Sequence, residues 1–282
     1  MFYKNAVQQE NCVEDFWNMA KIDVILPAYN SESVIGTAIE SILAQSYSDW
    51  RLIACDDGST DNTVKILRDY GEKYPCKVTI LQNEENKGIT FTLNNMLSRT
   101  EAKYIARMDA DDKSRPDRFE KQLLFLEKNP EYAMVGSSIV KFDEEGEFGT
   151  HRYPEKPEKK DFLWNSPFAH PSIMIRKEVI DKLGGYCDEK RTQRCEDYDL
   201  WMRLYAAGYK GYNIIDPVFE YYEGRNSYGK RKFRYRIAEM RTRLYWYKRL
   251  GLMPKGFVFA LKPILVGVVP QFILVKMRKE NR

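Results

Sequence analysis

An apolar, strand-like run leads directly into an acidic cluster in the segment Tyr104-Ile105-Ala106-Arg107-Met108-Asp109-Ala110-Asp111-Asp112. Carboxylates crowded in this way repel one another, and a cation between them relieves the repulsion. Ligands that are all oxygen atoms favour a hard ion, here Mn²⁺ or Mg²⁺, which a protein often holds through one or two carboxylates and a bound diphosphate. The cluster therefore predicts a divalent-metal site at the end of a strand.

Three other interpretations compete with a metal site. An acidic loop in which Asp111 or Asp112 caps a helix beginning near Pro116 explains the same residues. A calcium loop is excluded, because the sixth position counted from Asp109 is Ser114 rather than glycine. An aspartyl phosphotransferase is disfavoured, because no clear hydroxyl and lysine partners lie nearby. The segment alone leaves the metal site and the capped loop open.

Length, composition and cysteine spacing limit the kinds of protein that this chain can be. The chain has 282 residues, of which 43% are hydrophobic, so it suits one large domain with or without an appendage. Its five cysteines include no C-x-x-C pair, which argues against a disulfide framework and a zinc site and favours a reducing cytosol. Residues 1–20 lack an apolar core, so they are predicted to be an N-terminal extension rather than a signal peptide.

The first half of the chain alternates strands and helices. Predicted strands at Ile22–Leu26, Trp50–Cys55 and Val78–Leu81 are each followed by a helical pattern, and a fourth strand ends at Asp109. This order predicts an α/β fold with a doubly wound, mainly parallel sheet. Ligands of such sheets bind beyond the carboxyl ends of the strands. The acidic cluster and the segments after the other three strands all lie at those ends.

The second half contributes a further acidic pair, Glu196 and Asp197, in the first turn of a predicted helix that runs through Leu204. Acidic residues at a helix N-terminus often only complement the helix dipole. The pair is therefore a candidate for chemistry only if it faces the acidic cluster.

Five segments together resemble the family 2 inverting glycosyltransferases of the GT-A fold. They occur in the family's order over roughly residues 21–220, and they are Val24–Asn30, Asp56–Thr63, Asn86–Gly88, Asp109–Asp112 and Glu196–Trp201. The resemblance implies a nucleotide-sugar donor, a divalent metal, and sugar transfer with inversion at the anomeric carbon. It also implies a nucleotide-sugar-binding part at 21–112 and an acceptor-binding part with the catalytic base at 113–222.

The resemblance also implies roles for individual residues. The nucleoside pocket would be lined by the residues that follow the first three strands: Pro27, Tyr29, Glu32, Asp56, Asp57, Lys87 and Gly88. One or both aspartates would hydrogen-bond the base, and the lysine and glycine would close over it.

On the side of the phosphates and the acceptor, Arg107 and Asp109 would meet the ribose and the metal. Asp109 and Asp111 would be the metal ligands, with Asp112 supporting them, and Asp197 would be the catalytic base. A base and a metal suffice for inversion, because the metal neutralises the departing diphosphate.

Four further residues are candidates for the acceptor or the pocket: His170, Glu196, Trp201 and Arg225. Many relatives carry a histidine near the metal in the segment after the base helix. This chain has Tyr221–Ser227 there, without histidine, so Arg225 or Asn226 is a candidate phosphate contact instead.

Residues 223–282 are predicted to form a basic amphipathic tail. From Gly224 to Arg282 there are 16 basic residues against two acidic ones, whereas the remainder has 29 against 39. Apolar residues recur at helical spacing, namely Phe233, Ile237, Met240, Leu244 and Tyr247. The segment Gly256–Val275 is largely apolar but is interrupted by Lys262, Pro263 and Pro270, and its longest uninterrupted apolar run, Ile264–Val269, is too short to span a bilayer. The pattern predicts monotopic or peripheral association with an anionic membrane surface.

Packing of Gly256–Val275 on the catalytic domain, or on a second subunit in a homo-oligomer, is the alternative. No nucleic-acid recognition motif accompanies the charge.

The sequence thus predicts a metal-dependent inverting glycosyltransferase at the cytoplasmic face of the cell membrane. Its donor would be a UDP-sugar and its acceptor a saccharide, carried on a polyprenyl diphosphate, in surface-polysaccharide synthesis. A sugar nucleotidyltransferase is disfavoured, because Pro27-Ala28-Tyr29-Asn30 is not the basic, glycine-rich loop such an enzyme needs. A non-catalytic sugar- or membrane-binding adaptor would not need Asp197.

Overall fold

One mixed sheet of nine strands runs through the protein. The structure is a computed structural model, and it describes residues 20–224 and 232–269. The strands are β1 (Ile22–Ala28), β2 (Trp50–Asp56), β3 (Val78–Gln82), β4 (Tyr104–Arg107), β5 (Lys113–Ser114), β6 (Met134–Asp143), β7 (Gly146–His151), β8 (Met174–Arg176) and β9 (Gly211–Tyr222). The helices are α1 (Ile35–Leu43), α2 (Thr63–Lys73), α3 (Ile89–Leu97), α4 (Arg118–Lys128), α5 (Lys177–Lys182), α6 (Glu196–Ala206), α7 (Phe233–Arg249) and α8 (Gly256–Val268).

The first four main strands form the parallel half of the sheet, in the order β3-β2-β1-β4. Every residue of β1 is buried, as expected for a central strand covered by helices on both faces. Ala28 pairs with Asp56, and Asp56 pairs with Gln82, so these strand ends lie at one edge of the sheet. The predicted alternation of strands and helices is confirmed, and each predicted strand boundary falls within two residues of the observed one.

The second half of the sheet departs from a purely parallel arrangement. Strand β8 lies between β4 and β6 and is antiparallel to both, whereas β6 and β9 are parallel. The two-residue strand β5 follows the acidic cluster and pairs antiparallel with the end of β9. Strands β6 and β7 form an antiparallel hairpin. These pairings bring residues 219–222 alongside the acidic cluster.

The cysteines differ from the expectation drawn from their spacing. Cys55, Cys187 and Cys195 are free, but Cys76 is disulfide-bonded. An odd count and an irregular spacing do not determine which cysteines meet in space, so the pattern was a poor guide here. The predicted extension at 1–20, apart from Ala20, and the end of the predicted tail at 270–282 lie outside the described residues.

A fully buried arginine at the start of α4 joins the two halves of the sheet. The Arg118 Nη2 donates hydrogen bonds to the carbonyl oxygens of Arg107 at 2.8 Å, Pro171 at 3.2 Å and Ile173 at 3.4 Å. Its Nε donates to Gln122 Oε1 at 3.0 Å. The guanidinium therefore fastens the end of β4 to the segment that enters β8.

We expect Arg118→Met to lower the free energy of unfolding by about 3 kcal/mol, because it leaves buried carbonyl groups without donors. Arg115→Met is the matched control. Arg115 pairs with Glu147 and Glu220 but is one-third exposed, at 33%, so its loss should cost less than about 1 kcal/mol. Urea unfolding of the three proteins measures both values, and equal losses for the two variants would contradict the role of Arg118.

Candidate functional site

The acidic cluster is held by groups on both halves of the sheet. Arg107 is buried and forms an ion pair with Asp109. Asp112 is buried, and its Oδ1 accepts a hydrogen bond from the backbone N–H of Tyr222 at 2.7 Å. Within residues 20–224 and 232–269 its Oδ2 has no hydrogen-bond partner. The strand β9 thus fixes the cluster through Asp112 Oδ1, and Asp112 Oδ2 stays available as an acceptor or ligand.

The electrostatics of the cluster fit a bound cation. Burial, and then the charge of Asp109, raises the pKa of Asp111 to about 6. Burial, and then the charges of Asp109 and Asp111, holds the pKa of Asp112 well above its ordinary value. A divalent cation would reverse these shifts, and its donors here would all be oxygens. The capped-loop interpretation is wrong, since the residue at the N-cap of α4 is Asp117 and not Asp111 or Asp112.

The cluster supplies only part of a coordination shell. Among the described residues, no group of three or more histidine, cysteine, aspartate or glutamate side chains is arranged to hold a metal ion. An ion at Asp109 and Asp111 would therefore take its remaining ligands from a bound anion or water. That is the usual situation for Mg²⁺ at diphosphate sites.

The two aspartates at the end of β2 have different roles. Asp57 Oδ1 accepts hydrogen bonds from Asn83 Nδ2 at 2.8 Å and from the backbone N–H of Lys87 at 2.9 Å. Its Oδ2 accepts from the N–H of Gly88 at 2.9 Å. Asp57 is thus committed to holding the 86–88 turn.

Asp56 is fully buried and keeps an oxygen available. Its Oδ2 accepts a hydrogen bond from the N–H of Ser59 at 3.2 Å, whereas its Oδ1 has no partner in the part of the chain that the structure describes. A buried carboxylate oxygen without a donor is costly unless a ligand supplies one. Of the two aspartates, Asp56 is therefore the one placed to bind a ligand.

The loop after β1 is fastened to the loop after β2. Glu32 Oε2 accepts from the N–H and Nδ2 of Asn62 at 2.9 and 2.8 Å, so this carboxylate is occupied by the fold. Tyr29 is 47% exposed and lies at the end of β1. Pro27 is buried inside β1, and Lys87 Nζ pairs with Glu85 at 2.5 Å. Tyr29 is thus the side chain of this group with a ring open to a ligand.

The acidic pair of the second half lies in the first turn of α6 and is half-buried. Burial, and then the charge of Asp197, raises the pKa of Glu196 to about 7. The Glu196 Oε2 has no hydrogen-bond partner among the residues described. Two neighbouring carboxyl groups in such a position favour a state with one proton between them.

Helix α6 is fixed from behind by Asp199, which is fully buried. The Asp199 Oδ1 accepts hydrogen bonds from Arg191 Nη1 at 2.5 Å and from Trp246 Nε1 at 2.7 Å. Its Oδ2 lies 3.4 Å from Arg203 Nη2. Trp246 belongs to α7, so the first helix of the predicted tail supports the helix that carries the acidic pair.

A second set of contacts joins α7 to Leu163 and to α6. Arg243 is 2% exposed, and its Nη1 donates to the carbonyl oxygen of Leu163 at 3.0 Å and to Tyr247 Oη at 2.8 Å. Tyr198 of α6 also hydrogen-bonds Tyr247, at 3.1 Å. Sequence reasoning missed Trp246 and Arg243, whose positions on a basic amphipathic helix carried no signal of burial.

A histidine–tyrosine pair lies between the acidic cluster and α6. His170 Nε2 is 2.8 Å from Tyr186 Oη, and the His170 ring contacts that of Trp201 with centroids 5.9 Å apart. Burial, and then the charge of Arg107, holds the pKa of His170 well below its ordinary value, so His170 is neutral. Trp201 is buried beneath it.

The hydroxyl of Tyr186 is affected by the charges of both the acidic cluster and the Glu196–Asp197 pair. Burial raises the pKa of its hydroxyl, Arg107 lowers it, and the charges of Asp197, Glu196 and Asp109 each raise it further. One buried hydroxyl therefore lies within the fields of both carboxylate groups. Sequence reasoning did not single out Tyr186, and the predicted Arg225 lies outside the described residues.

Comparison with known proteins places this geometry in a family. The model of the family described as "Glycosyl transferase family 2" matches residues 23–184. The chain is 37% identical over 261 residues to the "Putative glycosyltransferase EpsE" of Bacillus subtilis (strain 168), which covers 93% of this chain and 94% of that protein. It is also 37% identical over 186 residues to the O-antigen biosynthesis glycosyltransferase WbnJ of Escherichia coli, covering 65% of this chain and 71% of that protein.

A solved structure shares the fold. The S. aureus TarS 1–349 structure in complex with UDP-GlcNAc superposes with a TM-score of 0.66 at 18% identity, covering 86% of this chain and 72% of that one. The likeness confirms the predicted fold class.

The raised pKa of Glu196 predicts a pH-dependent stability. The folded protein keeps this proton up to about pH 7, whereas the unfolded chain loses it near 4.5. The free energy of unfolding should therefore fall as pH rises from about 4.5 to about 7. We expect Glu196→Gln to match the parent protein near pH 4.5 and to exceed its stability at pH 8 by roughly 2 kcal/mol.

Urea unfolding across this pH range measures the difference. Glu178→Gln, on the exposed surface of α5, is the control and should follow the parent protein at every pH. A constant offset between Glu196→Gln and the parent would show that Glu196 does not titrate in this window.

Proposed function

The chain belongs to glycosyl transferase family 2, and from this membership we propose that it transfers a sugar from a UDP-sugar to a saccharide acceptor with inversion at the anomeric carbon. The observation that carries the proposal is that the charges of both Asp109 and the Glu196–Asp197 pair act on the buried Tyr186 hydroxyl, which lies 2.8 Å from His170 Nε2. A donor phosphate at the cluster and an acceptor hydroxyl at the pair would then meet in one pocket.

The donor would bind at the carboxyl ends of β1 and β2. Asp56 Oδ1, buried and without a described partner, would accept the N–H of a uracil ring. Tyr29, exposed at the end of β1, would cover the base. The complex of TarS with UDP-GlcNAc supports the choice of a uridine nucleotide. Asp57 would act indirectly, by holding the 86–88 turn in place.

A divalent ion, Mn²⁺ or Mg²⁺, would be held by Asp109 and Asp111 and would neutralise the charge of the departing diphosphate. Asp112, fixed by the N–H of Tyr222, would keep these two carboxylates in position. Arg107, paired with Asp109, adds a fixed positive charge on the donor side. The raised pKa of Asp111 is the structural support for a cation here.

Asp197 would be the catalytic base. The acceptor hydroxyl would attack the anomeric carbon on the face opposite the nucleotide and give its proton to Asp197 as the new bond forms. Glu196, with its raised pKa, would keep the shared proton, so that Asp197 is the ionised member of the pair. The Asp199 contacts to Arg191 and Trp246 would fix the direction in which α6 presents this base.

The acceptor would be a growing surface polysaccharide carried on a polyprenyl diphosphate. WbnJ, an O-antigen biosynthesis glycosyltransferase, supports this class of product. No helix within the described ranges is long and apolar enough to cross a membrane. We propose that the protein meets its lipid-linked acceptor as a peripheral protein at the cytoplasmic face.

Asp197→Asn tests the reaction. It preserves the size of the side chain but removes the base, so sugar transfer should slow by roughly 10²–10⁴-fold, while UDP binding stays within about twofold of the parent. Release of UDP from a panel of UDP-sugars, with saccharide acceptors present, measures turnover, and calorimetry measures binding. Asp181→Asn, on α5, where it pairs with Lys177 at the surface, should retain full turnover.

Unchanged turnover in Asp197→Asn would show that Asp197 is not the catalytic base. Release of diphosphate instead of UDP would indicate a nucleotidyltransferase. Binding of UDP-sugars by the parent protein without any turnover would indicate an adaptor.

Measurements of UDP binding distinguish the proposed role of Asp56 from that of Asp111. We expect Asp56→Asn to weaken UDP binding by roughly 10- to 100-fold both with and without Mn²⁺, because an amide hydrogen would face the N–H of the base. Asp111→Asn should remove only the additional affinity that Mn²⁺ provides. Calorimetric titrations of UDP with and without Mn²⁺ give both numbers. If Asp56→Asn and Asp111→Asn change the affinity for UDP in the same way with and without Mn²⁺, the assignment of Asp56 to the base and of Asp111 to the metal and diphosphate is wrong.

A further inference from the structure

The helix α8 packs on α7 through its smallest residues. Gly256 lies against Tyr247, where an added Cβ would be 2.8 Å from the ring, and Gly267 lies against Arg236, where it would be 2.6 Å from Cδ. Ala260, between them on the same face, is fully buried. The contact with the rest of the protein therefore uses a side of α8 built mainly from small residues, with Pro263 buried beside them and Phe259 packed against Trp164 at its edge.

The opposite side of α8 exposes its large apolar residues. Phe257, Val258, Leu265 and Val268 are 47%, 69%, 60% and 68% exposed. At the 100° per residue of an α-helix, these four positions fall within an arc of about 100°. An amphipathic helix of a globular domain turns its apolar stripe to the core. Helix α8 does the reverse, so its stripe faces something outside the described chain.

Exposed basic residues lead into the N-terminus of α8, and a lysine and a tryptophan lie on its flank. Lys248, Arg249 and Lys255, in the last turn of α7 and just before α8, are exposed. On the flank of α8, Lys262 Nζ donates to the carbonyl oxygen of Trp164 at 2.8 Å and lies 3.8 Å from the centre of its ring. Trp164 is 62% exposed.

Negative charge is scarce here, and one of the two acidic residues after Gly224, Glu239, pairs with Arg243 at 2.8 Å.

We propose that the outward face of α8, with Trp164 beside it, is the surface through which this protein lies on an anionic lipid membrane. Acyl chains accept large apolar side chains without a matching pocket, phosphate headgroups bind the surrounding cations, and tryptophan favours the boundary between them. A second copy of the chain is a poorer occupant. In a two-fold dimer the same basic rim would meet itself, and like charges would repel.

The surface also fixes the orientation of the site. Helix α7 packs on α8 with one face and, through Trp246 and Asp199, holds α6 with another. The acidic pair of α6 would therefore keep a set distance and direction relative to the membrane. This consequence rests on the proposed function, because only a lipid-linked acceptor makes that direction matter, whereas the membrane surface itself does not depend on the reaction.

The experiment is sedimentation of the full-length protein with vesicles of phosphatidylcholine alone or with about 30% phosphatidylglycerol. The parent protein should bind the anionic vesicles, and binding should weaken with salt. The double variant Val258→Ser and Leu265→Ser removes apolar area from exposed positions, so it should fold normally and lose at least tenfold in partitioning. Its UDP affinity should equal that of the parent.

The matched control is Leu124→Ser with Ile215→Ser, which removes two apolar side chains of similar exposure, 50% and 55%, from a groove between α4 and β9. This variant should bind vesicles like the parent. Equal binding of the parent and the α8 variant, or no binding by either, would overturn the proposal. So would a parent dimer that the α8 variant converts to a monomer. UDP binding and turnover are read separately, so their failure would count against the reaction and not against this surface.

Discussion

The site depends on one buried positive charge, that of Arg118, which lies under the acidic cluster. Arg118 is fully buried, and burial lowers its pKa to about 9, while the charge of Asp112 opposes that shift. Its guanidinium offers several donors in a fixed plane, which lets one side chain bind carbonyl groups from two segments that meet only in the folded chain. A lysine could supply the charge but not this planar set of donors. Arg118 thereby determines both where β4 ends and where the acidic cluster begins.

The rest of the pocket follows from how the two halves of the sheet meet at that point. The parallel half places Asp56 and the acidic cluster at one edge, because parallel strands end on the same side. The antiparallel half returns β9 to the cluster, where the N–H of Tyr222 binds Asp112. Neither half alone contains both groups of carboxylates. The proposed chemistry therefore belongs to the junction, and we expect it to be sensitive to anything that lets the halves move.

The sequence was informative where local pattern and function coincide. Apolar runs broken by Asp56 and Asp109 were enough to predict the strands and the edge at which they end. The different roles of Asp56 and Asp57 could not be predicted, because neighbours in sequence are distinguished only by which backbone N–H groups they meet. The link between Asp199 and Trp246 was also hidden, since 47 residues separate them. A helical pattern shows which residues share a face but not what that face contacts.

Helix α7 shows most clearly that a helical pattern does not reveal what its apolar face contacts. In its apolar stripe Phe233 is exposed and Tyr247 is fully buried, so the stripe crosses from solvent into the catalytic core. A deletion that begins before α7 would remove Trp246 and Arg243, and with them the support of α6. Loss of activity and loss of membrane contact would then appear together, whatever the true function of either helix. Because α8 exposes Phe257, Val258, Leu265 and Val268 and packs its glycines and Ala260 inward, only substitutions on its outer face can separate the proposed membrane contact from the integrity of α6.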